Sequence, residues 1–199
     1  ADVMLRVPYD KEYAYMQDST GEYINEQVVL FGPYQRETWQ VAFNPEKLDS
    51  VETIAVFQYH PIGVEIDTLP DFYLSSGLRG RMREQVRHYP KVRDAFRVMR
   101  GGGISAVMGM RAEIEHELAR PENAGFKAAG NGFPGIGKQA WDVGVAIKHT
   151  HRQLGYALEA IVDKLVKSGE LNELFASQQL RYSVPDYYRE FLDRQAIAR

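Results

Sequence analysis

Few residues in this sequence have types and spacings that could do chemistry. Gly130-Asn131-Gly132-Phe133-Pro134-Gly135 matches G-x-G-x-x-G. A phosphate loop of that form needs a strand before it, a helix after it and free backbone N–H groups. Pro134 removes one N–H and no helical pattern follows, so the run reads as an ordinary loop. His149 and His151 would share a face on a strand but diverge at a helix start. No Asp, Glu or His stands at a metal-ligand spacing from them, so they read as exposed residues rather than ligands. His60, His88 and His116 are scattered, and no Asp-rich calcium-type loop is present. No serine lies in a G-x-S-x-G elbow. Cysteine is absent, which excludes thiol nucleophiles, disulfides and cysteine zinc sites. Glu113, Glu115 and Glu117 alternate along a predicted helix and read as a solvated face. The largest charge feature is Arg79, Arg81, Arg83, Arg87, Lys91, Arg93, Arg97 and Arg100. Only Glu84 and Asp94 oppose them, so residues 79–100 carry +6 in a chain of net −3 and leave −9 elsewhere. Such a run is a solvated face or a patch that steers an acidic partner.

These residues must be positioned by a chain of 199 residues, one large or two small domains. Apolar (44%) and charged (26%) residues stand at ordinary globular levels, so a core needs no metal or disulfide staple. A sequence pI near 6.0 argues against a general nucleic-acid binder. No run approaches the length of a membrane span. The sequence begins Ala1-Asp2-Val3-Met4-Leu5 without an initiator methionine, so a processed or partial chain is expected, and a cleaved export signal would leave no trace.

Val3–Val7 reads as a buried strand ended by Pro8, and residues 8–27 as a long tyrosine-bearing loop. Val28–Phe31 reads as a strand stopped by Gly32-Pro33, Thr38–Phe43 as another, and Glu52–Phe57 as a buried strand. Residues 62–74 read as a helix troubled by Pro70. A short strand at 85–88 precedes a helix that opens after Pro90, with Val92, Ala95, Phe96 and Met99 on one face. Gly101-Gly102-Gly103 stops it. A strand at 104–108, a helix at 112–118, a glycine-rich loop and a strand at 141–147 follow. Thr150 and Gln153 form a capping-box pair for a helix with an apolar stripe of Leu154, Ala157, Leu158, Ile161, Val162, Leu165 and Val166. Ser168-Gly169 ends that helix. Two more helices are expected at 170–176 and 186–196. The alternation over residues 50–170 points to an α/β class with a mostly parallel sheet covered on both faces.

The order of these pieces carries a resemblance. Trp141-Asp142-Val143-Gly144-Val145-Ala146-Ile147, the helix after it and Gly169-Glu170-Leu171 resemble the end of family 3 extracellular solute-binding proteins. Phe31-Gly32-Pro33-Tyr34 is similar to that family's Phe-Ser-x-Pro-Tyr segment, Thr53–Phe57 to the strand entering its second lobe, and Ala95–Met108 to its helix, glycine turn and Asp-Ala-Val-Ile strand. The resemblance implies an α/β, two-lobe, type II periplasmic-binding-protein-like fold with the first lobe incomplete in this chain. Residues 1–45 would be the end of lobe one and a crossing strand, 46–145 lobe two, and 146–199 the return strand and helices packing on lobe one. It also implies a periplasmic, non-enzymatic protein without a cofactor.

Against that family the sequence lacks an Arg before the Phe-Ser-x-Pro-Tyr segment, where it reads Ile24-Asn25-Glu26-Gln27-Val28. Ser105 replaces an Asp, and Met110 falls where an ammonium-pairing Asp is expected. These departures argue against an amino-acid ligand. Gly32–Glu37 and Val56–Glu65 are similar to the periplasmic accessory proteins of quinoprotein methanol dehydrogenases (the MoxJ/XoxJ type), which implies a dehydrogenase as partner. The alternative is a transporter component for a small non-amino-acid solute. An enzyme would need a paired acid and base, and no convincing pair is present. Candidate cleft residues are Tyr34, Arg36, Trp39, Tyr59, His60, Met110 and Arg111. Candidate partner-surface residues are Tyr9, Tyr13, Tyr15, Tyr23, Arg79, Arg81, Arg83 and Arg87.

Overall fold

The computed structural model describes residues 2–10, 20, 28–130 and 139–197. Its strands are β1 (Val3–Pro8), β2 (Val28–Phe43), β3 (Ile62–Glu65), β4 (Val86–Tyr89), β5 (Ala106–Met110), β6 (Lys127–Ala128) and β7 (Ala140–Lys148). Its helices are α1 (Leu69–Ser76), α2 (Val92–Arg100), α3 (Arg111–Leu118), α4 (Arg152–Ser168), α5 (Glu170–Ser177) and α6 (Asp186–Ile197). The chain divides into two compact units. Unit one is Ala1–Glu37 with Ala140–Arg199, and unit two is Thr38–Gln139.

In unit two the second half of β2, then β5, β3 and β4 lie side by side, and β6 pairs with β2. β3 is parallel to β4 and β5, while β5 runs antiparallel to β2. The parallel pairs come from two crossovers, β3-α1-β4 and β4-α2-β5, and the antiparallel neighbour makes the sheet mixed rather than mostly parallel. Helix α2 buries Val92, Ala95, Phe96 and Met99, as its spacing requires, against Val107 of β5, Ala42 of β2 and Ile114 of α3. Gly63 lets helix and sheet close up: a Cβ there would lie 2.7 Å from Ile104 Cδ1 and 3.0 Å from Ala95 Cβ. Gly102, at φ 76°, turns the chain out of α2.

Three expectations for this unit are corrected. Residues 52–57 are not a strand but lead into a 3₁₀ turn, Ile54–Gln58. Thr53 Oγ1 accepts the Ala55 N–H, and Ile54 and Phe57 are buried three residues apart, a helical rather than a strand period. Residues 62–74 are not one helix: β3 ends at Glu65 and α1 starts after Thr68, which places Pro70 in the first turn, where its missing N–H costs nothing. Glu117 is not solvated. It is 5% exposed, and its carboxylate pairs with Arg120 Nε at 3.1 Å.

In unit one, β7 pairs antiparallel with β1 and neighbours the first half of β2. β2 is continuous, so Gly32-Pro33 does not stop it. The Gly32 N–H goes to Glu159 Oε1 of α4 at 3.3 Å instead of to a neighbouring strand, and Pro33 has no N–H to lose. β1 forms, but Met4 and Leu5 are exposed at 60% and 62% rather than buried. The Thr150 capping box is absent: residues 149–151 form a 3₁₀ turn, and α4 begins after His151 without a side-chain cap. The stripe on α4 is also turned. Gly155 and Val166 are buried and Val162 half-buried, while Leu154, Ala157 and Ile161 face solvent. The reason is Gly155, whose missing side chain leaves the space that the Phe31 ring occupies. Gly169, at φ 85°, ends α4 as expected.

Tyrosines close the far side of this unit. Tyr182 donates its hydroxyl to the Tyr34 carbonyl at 2.8 Å, and Tyr188 packs with Val166 and Leu171. Burial pushes the hydroxyls of Tyr34, Tyr182 and Tyr188 above the usual tyrosine range; Tyr188 and Asp142 add to the shift at Tyr182, and Asp163 at Tyr188. A group whose folded pKa is raised keeps its stabilising contribution below its unfolded pKa and loses it as pH climbs toward the folded value. Stability is therefore expected to fall above about pH 10. Denaturant midpoints measured across that range check this, and Tyr182→Phe should flatten the decline.

Candidate functional site

Ligands of open α/β sheets bind outside the carboxyl ends of strands, at the point where neighbouring crossovers leave in opposite directions. In unit two that point lies between β3 and β5. β3 leads through α1 outward to β4, whereas β5 leads through α3 toward β6, beside β2.

The turn after β3 is tightly built. Thr68 caps α1: its Oγ1 donates to the Glu65 carbonyl at 2.6 Å and accepts the Asp71 N–H at 3.5 Å. Asp67 sits at φ 59°, a conformation Asp tolerates better than most residues, and its N–H goes to Asp71 Oδ2 at 3.0 Å. Asp71 Oδ1 also takes the Ser75 hydroxyl and meets His88 Nε2, both at 2.9 Å. Glu65 Oε2 accepts the Val92 N–H at 3.2 Å, so this carboxylate serves the start of α2. Glu65 and Asp71 are thus occupied in holding the turn's shape, while the Asp67 side chain is exposed.

The turn after β5 supplies Met110 and Arg111. Met110 stands opposite Trp39 of β2 in the strand register. The Trp39 indole is buried and packs edge-on against Tyr73 of α1 at 5.0 Å, and Tyr73 does the same with Phe72 at 6.1 Å. Ile66 and Phe72 are exposed at 51% and 66%, while Arg111 is only 6% exposed. The strand ends thus present an apolar and aromatic rim, with Arg111 sunk beneath it and Lys91 paired to Glu65 at its side.

The fold brings Trp39, Met110 and Arg111 together here. It places Tyr59 and His60 at the amino end of β3, the opposite end of the same sheet. A hollow of about 400 Å³ lies at that opposite end, lined by Phe43, Ser50, Val51, Glu52 and Ala128–Gly130. Tyr34 and Arg36 belong to unit one. The Tyr34 hydroxyl accepts the Arg6 N–H at 3.0 Å. The Arg36 guanidinium lies between two carboxylates, Asp142 at 2.8 Å and Asp186 at 2.5 Å, so its charge is already met. The Tyr9 N–H is bonded to the Asp142 carbonyl, while Tyr13, Tyr15 and Tyr23 lie outside the described residues, as does most of the 130–135 glycine run. Arg79, Arg81, Arg83 and Arg87 are all exposed. Sequence reasoning passed over Ile66–Tyr73, although Thr68-Leu69-Pro70-Asp71 carries a readable helix-start signal. Among the described residues no three metal-binding side chains cluster, and no helix is long and apolar enough to cross a membrane.

This architecture is an α/β fold of the periplasmic-binding-protein type, of which the chain holds part. It superimposes on a histidine kinase sensor domain with similarity to periplasmic binding proteins, at a TM-score of 0.68 and 14% identity, over 89% of this chain and 69% of that one. A variant of ArgBP from T. maritima gives 0.67 and 18%, over 89% of this chain and 68% of that one. AbpA from Streptococcus pneumoniae, an amino acid ABC transporter substrate-binding protein bound to L-arginine, gives 0.65 and 17%, over 76% and 61%. Two of these neighbours are binding proteins and one is a sensor domain. No family model matches the chain. No curated protein matches it either.

Proposed function

We propose that this chain is a non-enzymatic, exported binding domain that engages a quinoprotein methanol dehydrogenase during maturation or activation. The observation that carries this reading is the character of the switch point. Its rim is Ile66, Phe72 and Met110, Arg111 is buried, Lys91 is paired to Glu65, and the Glu65 and Asp71 carboxylates are committed to the fold. A zwitterion placed there finds Arg111 buried and Glu65 and Asp71 already bonded within the fold, whereas exposed aromatic and aliphatic groups suit a protein surface. The similarity of Gly32–Glu37 and Val56–Glu65 to the dehydrogenase accessory proteins supports the choice of partner. The test is retention of purified dehydrogenase, with and without its quinone, on the immobilised chain. Retention of one form above a serum-albumin control is expected, and equal background for both would refute the reading.

A second reading, a transporter component for a small non-amino-acid solute, is favoured by the aromatic pair Trp39–Tyr73 beside the strand ends. The two readings share one expectation. Millimolar arginine, the ligand bound in the AbpA structure, should leave the thermal midpoint unchanged, because only a ligand bound to the folded state stabilises it. A concentration-dependent rise would reverse both.

A further inference from the structure

The arginine-rich stretch lies outside the strand-end site and has a structure of its own. Gly77–Gly80 and Arg83–Gln85 form two 3₁₀ turns. Met82 between them is fully buried, and a Cβ on Gly77 would come within 2.6 Å of its terminal carbon, so this side chain pins the segment to unit two. Arg79, Arg81 and Arg83 alternate around the pin and are exposed, and Arg87 continues the series on β4, the outer strand of this unit. Of the basic residues further along, Lys91, Arg97 and Arg100 have local partners. Lys91 meets Glu65 at 3.4 Å, Arg97 pairs with Asp94, and Arg100 donates to Asn123 at 2.7 Å. Arg79, Arg81, Arg83 and Arg87 have no carboxylate partner among the described residues, and the Arg87 guanidinium donates only to the carbonyls of Glu84 and Val86. Two further observations fall on the same surface. Arg79 holds φ 60°, a left-handed conformation that costs an arginine energy. Tyr59, 80% exposed, ends the Ile54–Gln58 turn, which packs against Arg83–Gln85. Arginine and tyrosine are the side chains that protein interfaces favour.

We infer that the Arg79–Arg87 surface docks the acidic face of a partner protein. Charge decides the class of partner. The stretch 79–100 is +6 and the remainder of the chain −9. A nucleic acid or an anionic bilayer extends beyond a patch this small and would meet repulsive ground around it. A protein partner presents a carboxylate cluster of matching size, and guanidinium groups take carboxylates two-pronged.

The probe is a fluorescent hexaglutamate peptide, followed by anisotropy at low salt on the intact chain. The combined variant Arg79→Gln, Arg81→Gln, Arg83→Gln should bind about tenfold more weakly, the sum of three exposed ion pairs. A charge-matched control at exposed lysines, Lys127→Gln, Lys148→Gln, Lys164→Gln, should lose less than about twofold. Arg79→Gly tests the strain separately: its melting midpoint should rise by about 1–3 °C while peptide binding weakens. The inference is overturned by equal losses in patch variant and control, by no binding to the wild type, or by a lowered midpoint for Arg79→Gly with binding intact. Tighter binding of an oligothymidylate of the same length, or of phosphatidylserine vesicles, overturns it in favour of a polyanion. Salt-sensitive dimers in sedimentation that the patch variant abolishes overturn it in favour of a second copy.

Discussion

Gly155→Ala is expected to destabilise the protein by about 2–3 kcal/mol, although alanine is the better helix former by about 1 kcal/mol. The added methyl would fall inside the Phe31 ring. Phe31 is 4% exposed, lies on β2 and packs edge-on against Tyr156 at 5.3 Å, so it has little room to give way. Overpacking at such a site forces side chains off their rotamers or shifts the backbone. Chemical denaturation measures the loss. Adding Phe31→Leu should recover more than half of it, because the smaller side chain vacates the volume the methyl needs. The neighbouring Leu154→Ala should cost less than about 1 kcal/mol, since Leu154 is 44% exposed. The contrast reads out which face of α4 is buried. Similar costs at 154 and 155 would mean the helix is seated on its apolar stripe instead.

Arg36→Met is expected to cost about 2–3 kcal/mol, below the range for a fully buried pair because both partners retain some contact with water. Arg36 and Asp142 side chains are 21% and 13% exposed, and Asp186 joins them from the start of α6. Asp142 also accepts the Asp186 N–H at 3.2 Å, and the Arg36 N–H goes to the Ser183 carbonyl at 2.9 Å. The guanidinium thus ties β2, β7 and the C-terminal segment of unit one together. Removing it leaves Asp142 without its cation, and that orphaned charge supplies most of the cost. Asp142→Asn in the Arg36→Met background should restore at least half of the loss. A variant that keeps its denaturation midpoint but loses binding would instead mark Arg36 as a ligand residue.

Local signals gave the sequence reading its accurate parts. Val92, Ala95, Phe96 and Met99 point α2 at the sheet by spacing alone, and Gly102 and Gly169 end their helices by backbone freedom alone. The misread parts depend on long-range partners. Gly32-Pro33 looks like a strand terminator until Glu159, far along the chain, takes the Gly32 N–H. The apolar stripe of α4 looks like its buried face until the close approach of Phe31 at Gly155 turns the helix. Ile54–Phe57 is β-branched and apolar like a strand, yet the Thr53 hydroxyl bonds Ala55 and starts a turn. At the candidate site, Met110 was legible through the family resemblance, as a neutral residue where an ammonium-pairing Asp is expected. Its pairing with Trp39 is a matter of register, which no local pattern states. The separation of Tyr59 and His60 from that pair follows from the direction of β3, which likewise appears only once the parallel pairing is known.

The strand ends of unit two are proposed as a surface for a protein partner rather than a pocket for an amino acid. Amide hydrogen exchange over Ile66–Tyr73 and Met110–Ala112 tests this directly, with purified methanol dehydrogenase or arginine added to the chain. Slowed exchange of both segments with the dehydrogenase and unchanged exchange with arginine is the expected result. Protection by arginine, or no protection by either form of the dehydrogenase, would contradict it.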